Sequence, residues 1–426
     1  MRFGLLLRSA ATIAMMTSVA PVLAQVEEKT RLEENRENDT QSSELEQVGG
    51  RVGAFRVLPR IEAGLLFDDN VYATDGGERS DTIYRVAPSL LLTADTSRYR
   101  WDVRAGVEFL EFDKFDDESR TNYGAGTTFR TEVVRDTRLS GRLSYDVDHE
   151  DRGSPNALTS NSEPVKYKTF DTGLGFERDV SRILFGVDGG YRKLNFDDVE
   201  RNNGTIDNND DRDRSLAQVG GKIGYEFSPG YDFLVRASYD SINYDEASDD
   251  LGFDRDSKGF RITGGIGFEL TRLLTGEIFA GYLNRNYDDA RFQTTKDAIF
   301  GAGLIWSPTE LTTVRINLDR SIEETVFPGY TGYLNTSSSV RVTHELTRQL
   351  TLNGGVNYSK NKYERSIGST AAARSDDNYG AQASLRYQLN RLLYTSAGYE
   401  WISRESNLPA SDYGRNKFLI TLGAQF

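Results

Sequence analysis

The sequence predicts an all-β fold, a transmembrane antiparallel up-and-down β-barrel of about eighteen strands, with about sixteen as the alternative count. Three observations carry this expectation. Segments of about ten residues alternate apolar and polar side chains, the length a tilted strand needs to cross a bilayer. The connections between them are by turns very short and long, and aromatic residues mark both ends of the apolar faces.

At the start of the chain, Met1-Arg2 is positive, Leu5 to Met16 is largely apolar, and Val22-Leu23-Ala24 precedes Gln25. This pattern predicts a secretory signal peptide over 1–24. The absence of cysteine excludes a lipidated cysteine and any disulfide, so packing and backbone pairing must hold the exported protein together. Glu27 to Gln47 is charged and precedes Gly49-Gly50, which predicts a periplasmic, disordered tail over 25–58. A net charge of -14 argues against a nucleic-acid partner, which would call for a basic patch. Mean hydropathy of -0.55 reads like that of a soluble protein. A barrel strand is apolar only at every second position, however, and its outer loops are polar, so the average conceals it.

The barrel itself is expected over 59–426. Trp101, Val103, Ala105, Val107 and Phe109 alternate with Asp102, Arg104, Gly106 and Glu108, and Leu139 to Val147 alternates with Arg138, Ser140, Arg142, Ser144 and Asp146. Charges keep to one face. Short turns are placed at Arg135-Asp136-Thr137, Arg178-Asp179-Val180, Ser228-Pro229-Gly230, Leu270-Thr271-Arg272, Ser307-Pro308-Thr309, Leu346-Thr347-Arg348 and Leu389-Asn390-Arg391. Long loops rich in Asp, Asn, Ser and Gly are placed at 150–163, 197–214, 241–256, 323–336 and 361–377. Short periplasmic turns and long extracellular loops are the arrangement of outer-membrane barrels.

A β-propeller also repeats near this length, and the aromatics separate the two. Tyr145, Tyr191, Tyr239, Tyr282, Tyr358 and Tyr399 stand on the apolar parity before the long loops. Phe129, Phe176, Phe227, Phe268, Trp306, Tyr387 and Phe426 stand on it at the short-turn ends. Two such girdles suit two membrane interfaces, where an amphipathic ring is best solvated. In the last segment Phe418, Ile420, Leu422, Ala424 and Phe426 share the lipid parity, while Lys417, Thr421, Gly423 and Gln425 share the other with one misfit, Leu419.

Inward parity carries the pore-lining candidates Arg104, Arg130, Arg142, Lys222, Arg236, Arg261, Arg315, Arg341 and Arg386. Fewer acids oppose them, among them Asp102, Glu108, Glu132, Glu226, Glu269 and Glu277. Two roles stay open for these cations: lining a pore that favours anions, or bracing the wall through ion pairs. Gly173-Leu174-Gly175 has no following helix and is no phosphate loop. His149 and His344 are the only histidines, and His344 falls on the lipid parity. Asp207 to Asp213 lacks the glycine and terminal glutamate of a calcium loop. No catalytic residue, cofactor site or metal site is therefore assigned.

Phe67-Asp68-Asp69-Asn70-Val71-Tyr72-Ala73-Thr74, followed by Asp81-Thr82-Ile83-Tyr84 and Val86-Ala87-Pro88-Ser89-Leu90, resembles the opening of the putative β-barrel porin 2 family. The resemblance implies an outer-membrane conduit working beside periplasmic polysaccharide-export proteins, and brings no catalytic residues. Asp68, Asp69 and Asn70 would then form either a solute-binding lip or a turn that caps the first hairpin. Phe426 resembles the closing residue of outer-membrane barrels, which implies recognition by the barrel assembly machinery. Outer-membrane lipid and lipopolysaccharide are the expected surroundings. Two functions remain open: export of an exopolysaccharide or capsule, and diffusion of small, anionic solutes. A lipid-active enzyme is the distant third. A loop folded inside the barrel would favour the solute porin, and a wide unobstructed lumen would favour export.

Overall fold

Hydrophobic alternation with period two makes each segment a strand with one apolar face, and hairpin connections let every strand pair with the one before it. The computed structural model describes residues 49–426 apart from 158–160, 272, 326 and 409–410. The expected signal peptide at 1–24 and most of the tail expected at 25–58 lie outside the described residues. In order, the strands are β1 (Gly50–Val52), β2 (Phe55–Asp68), β3 (Asp81–Asp95), β4 (Tyr99–Phe112), β5 (Arg120–Val134), β6 (Thr137–His149) and β7 (Lys166–Val180). There follow β8 (Ile183–Phe196), β9 (Val199–Glu200), β10 (Ile206–Asp207), β11 (Arg214–Ser228), β12 (Tyr231–Tyr244), β13 (Ser257–Thr271) and β14 (Leu274–Tyr287). The last are β15 (Thr295–Thr309), β16 (Thr312–Glu324), β17 (Tyr330–Thr347), β18 (Leu350–Arg365), β19 (Ser375–Gln388), β20 (Leu393–Ser406) and β21 (Tyr413–Gln425).

β2 to β8 and β11 to β21 form one closed antiparallel barrel of 18 strands, in which β8 pairs with β11 and β21 returns to β2. β9 and β10 form a separate ribbon within a loop. The seam between first and last strands is a ladder of 9 residue pairs, from Arg60↔Gln425 to Asp68↔Lys417. Below it β1 pairs with Phe55 to Val57, continuing the wall where β21 has ended. The first barrel strand thus begins inside the stretch expected to be tail.

The parity read from the sequence holds across the wall. Phe109, Tyr145, Phe176, Tyr239, Trp306, Ile420 and Leu422 are exposed on the outside. Residues of the opposite parity, among them Leu110, Thr275, Glu277 and Thr421, are buried inside. Several turns lie one or two residues beyond their expected places. The turn after β7, for example, is at Ser181-Arg182, with Ser181 in the left-handed region (φ 59).

The largest departure concerns β16 to β18. The loop expected at 323–336 is a short tip between Glu324 and Tyr330, because Tyr330, Tyr333 and Leu334 pack into a strand. β17 is therefore 18 residues long, and Tyr330, Tyr333 and Tyr363 pack with Phe327 and Ala371 at its outer end. The β15–β16 ladder stops at Ala302↔Leu318. At this break a Cβ on Gly301 would collide with the Phe279 ring and lie 2.8 Å from the Leu318 carbonyl oxygen. Above it Ser321 to Thr325 are all buried, so the β16–β17 hairpin leans into the barrel mouth.

Candidate functional site: the narrowed lumen

An 18-stranded barrel is too wide for strand side chains alone to fill. Here the loop between β6 and β7 folds inward and occupies the mouth. Arg415, on the inward face of β21, donates through Nε to Asp68 Oδ2 at 2.8 Å and through Nη1 to loop residue Asp151 Oδ1 at 2.9 Å. Arg404 of β20 donates to the Gly153 carbonyl. Arg152 donates to Glu118 at 3.0 Å, and Arg212 to Glu150 at 3.2 Å. On the far side, Thr325 Oγ1 donates to Asn156 Oδ1 at 2.9 Å, and Arg255 holds the Thr325 carbonyl at 2.8 Å. β6 and β7 are the fifth and sixth barrel strands, whereas β16 and β17 are the thirteenth and fourteenth. The loop therefore spans nearly the full mouth.

Burial alone would raise the Asp151 carboxyl, but the Arg415 and Lys417 cations, with the Gly153 N–H, hold it well below the usual carboxylate range. This anchor stays charged.

Asp68, Asp69 and Asn70 belong to the same structure. Asp68 is fully buried against Arg415, and Asp69 accepts from the Asn416 backbone N–H at 2.7 Å. The Asn70 side-chain amide donates to the carbonyls of Gly414 and Thr74, each at 2.9 Å. The family-like motif thus clasps the first strand to the last. Asn70 also bonds locally to Thr74, but most of the motif's bonds cross the seam.

Beneath the loop lies a cavity of about 810 Å³. Residues of β3 to β8 line one side of it and residues of β16 and β17 the other. Its lining holds three cations, Arg104, Arg142 and Arg192, and six acids, Asp102, Asp146, Asp148, Asp171, Asp319 and Glu323. This part of the lumen is therefore acid-rich, although the inward parity as a whole carries more cations among the expected positions. Asp102 and Asp146 stood on the polar parity in the sequence; Asp148, Asp171, Asp319 and Glu323 join them only in the fold.

At least four of the nine candidate cations form ion pairs within the wall. Arg142 pairs with Asp171 at 2.6 Å, Arg236 donates to Glu277 at 2.8 Å, and Lys222 pairs with Glu177. Arg104 lies 3.6 Å from Asp146 with most of its side chain open to the lumen. Arg130 lies in the field of Glu177, and Arg261 in that of Asp319 and Glu323. Arg386 stacks over Tyr394 and donates to Gln425 at 3.1 Å. Arg315 and Arg341 stand directly opposite each other on β16 and β17. The Phe426 ring is exposed, and its backbone N–H donates to the Pro59 carbonyl at 3.1 Å.

Sequence reasoning overlooked Arg415, Arg404 and Asp151. The available signal was Arg415 and Lys417, two cations at inward parity entering the last strand. Their anchor is a loop residue more than two hundred and fifty positions away, as the separation of 264 between Arg415 and Asp151 records, and no local pattern announces such a pair.

No curated protein matches the sequence. Among solved structures, OpdL of Pseudomonas aeruginosa is similar, with 12% identity over 88% of this chain and 100% of that one and a TM-score of 0.44. OccAB4 of Acinetobacter baumannii shows 13% identity over 90% of this chain and 100% of that one, with a TM-score of 0.46. The siderophore receptor PiuA of the same organism shows 10% identity over 89% and 82%, with a TM-score of 0.49. The family model described as "Putative beta-barrel porin 2" matches residues 43–426. With its lipid-facing apolar band, polar lumen and 18 strands, the chain is a porin-like outer-membrane β-barrel and belongs to that family.

Proposed function

We propose that the chain is a diffusion channel for small solutes, narrowed on its outer side by the loop between β6 and β7. The observation that carries this reading is the attachment of that loop to inward-facing arginines of β20 and β21 and, across the mouth, to Thr325. A polymer leaving through the barrel would have to break several charge-assisted bonds at once, whereas a small solute passes beside the loop. In this reading the chain is exported by its signal peptide, is inserted by the assembly machinery reading Phe426, and sits among lipid and lipopolysaccharide.

Export of an exopolysaccharide or capsule, in company with periplasmic export proteins, is the second reading, favoured by the first-hairpin resemblance. The seam role of Asp68, Asp69 and Asn70 accounts for that motif without a glycan. Planar-bilayer recordings test the proposal: replacing 152–164 by a short Gly-Ser linker should raise single-channel conductance several-fold. Equal conductances would refute the narrowing. Loss of surface glycan in a deletion strain would overturn the solute reading in favour of export.

A further inference from the structure

Two of the inward arginines differ from the others. Arg315 and Arg341 are direct cross-strand partners, and among the described residues neither has a carboxylate within ion-pair distance. Their outward strand neighbours are Val314, Ile316, Val340 and Val342, so both guanidinium groups point into the lumen. The positions around them are neutral. Ile305 faces Arg315 from β15, Gly355 faces Arg341 from β18, and Asn317 pairs with Gly303 on the extracellular side. Gly355 has no side chain beside Arg341, and the Gln382 amide nitrogen fills that place, 3.2 Å from where a Cβ would stand.

Like charges directly opposite on adjacent strands destabilise a sheet. Elsewhere in this wall such cations are neutralised: Arg142 and Arg192 share Asp171, and Arg138 takes both Glu177 and Asp179. Here, among the described residues, no carboxylate lies within ion-pair distance. A planar guanidinium fork holds carboxylate or phosphate oxygens through two parallel hydrogen bonds, and two adjacent forks match a group with more than one negative charge.

We infer that Arg315 and Arg341, flanked by the Asn317 and Gln382 amides, form a lumenal binding site for a multivalent oxyanion, phosphate or dicarboxylate, on the periplasmic side of the acid-rich cavity. This rests on the reading of the chain as a solute channel. The pair lies four residues below Asp319 and Ser337 on the same strands, roughly 13 Å along the strand at about 3.3 Å per residue. A solute moving inward along β16 and β17 meets the loop, then Asp319, then this site.

The test uses the full-length refolded barrel with inorganic phosphate and succinate as probes. Added on the periplasmic side at millimolar concentration, each should block the chloride current of the wild type reversibly. R315Q+R341Q should need at least ten-fold more probe for the same block, and R315K+R341K, which keeps the charge but loses the forks, should fall between. Each single glutamine variant should weaken the block less than the double. Gel mobility of the unheated protein verifies that each variant is folded. Calorimetric binding to the detergent-solubilised barrel separates the site from the channel: binding without any conductance sinks the channel reading and leaves the site. Wild-type sensitivity in R315Q+R341Q, in both current and calorimetry, overturns the site.

Discussion

Arg415→Gln should uncouple the seam and the loop in one step. The Asp68 side chain is fully buried and the Arg415 side chain only 4% exposed, so the substitution leaves a carboxylate inside the wall without its countercharge. Breaking a buried pair by removing one partner costs about 3 to 5 kcal/mol. Two features place this case near the lower end: Asp68 still accepts from the Asn70 N–H at 3.0 Å, and Asp151 keeps Lys417 at 3.8 Å. A loss of about 3 kcal/mol shifts the unfolding equilibrium by roughly two powers of ten. Asp151→Asn removes one of the loop's contacts and leaves Arg415 with Asp68, so it should cost about 1 kcal/mol. Urea unfolding in lipid vesicles, followed by tryptophan emission, measures both. Stability of Arg415→Gln within 1 kcal/mol of the wild type would refute the argument, and so would equal losses in the two variants.

Val356→Arg puts a charge on the lipid face in the middle of β18 and should cost about 2 to 4 kcal/mol. Ser337→Arg, inward and opposite Asp319, should be nearly neutral, and equal folding yields in vesicles would contradict the register. In the loop before β11, Asp211 is pushed up to about 6 by burial and by Asp250. A carboxyl whose folded pKa is raised costs stability as pH climbs from the ordinary carboxylate range through that value. Asp211→Asn should therefore leave stability unchanged at pH near 4 and add about 1 kcal/mol above pH near 7, the side chain being partly exposed. Urea midpoints or proteolysis of the 197–213 loop at the two pH values would show it, and a wild type indifferent to pH would sink it.

The barrel was legible because its rules are local. Alternation in Trp101 to Phe109, the placing of Tyr239 and Trp306, and the spacing of the short turns each follow from one strand crossing one bilayer. β16 to β18 were misjudged for a related reason. Beyond the membrane a strand no longer needs an apolar outer face, so Tyr330 to Thr336 looked like loop although it pairs from Gly332↔Glu324 to Thr336↔Arg320. For those of the nine cations that pair, the partner sits on a neighbouring strand: Arg142 and Asp171 are 29 residues apart. Parity says which way a side chain points, and it is silent on what stands beside it.

The clasp at Arg415 draws its three members from the first strand, the last strand and a loop near the end of the chain's first third. Chains halted partway through insertion lack at least one of them, so the loop keeps its bonds to Glu118 and Arg212 but lacks the Arg415 anchor until the final strand has met the first. A wall still open at the seam is also a wall without its lid. Narrowing of the passage is thereby tied to completion of the cylinder, and a barrel that failed to close would announce itself as a leak.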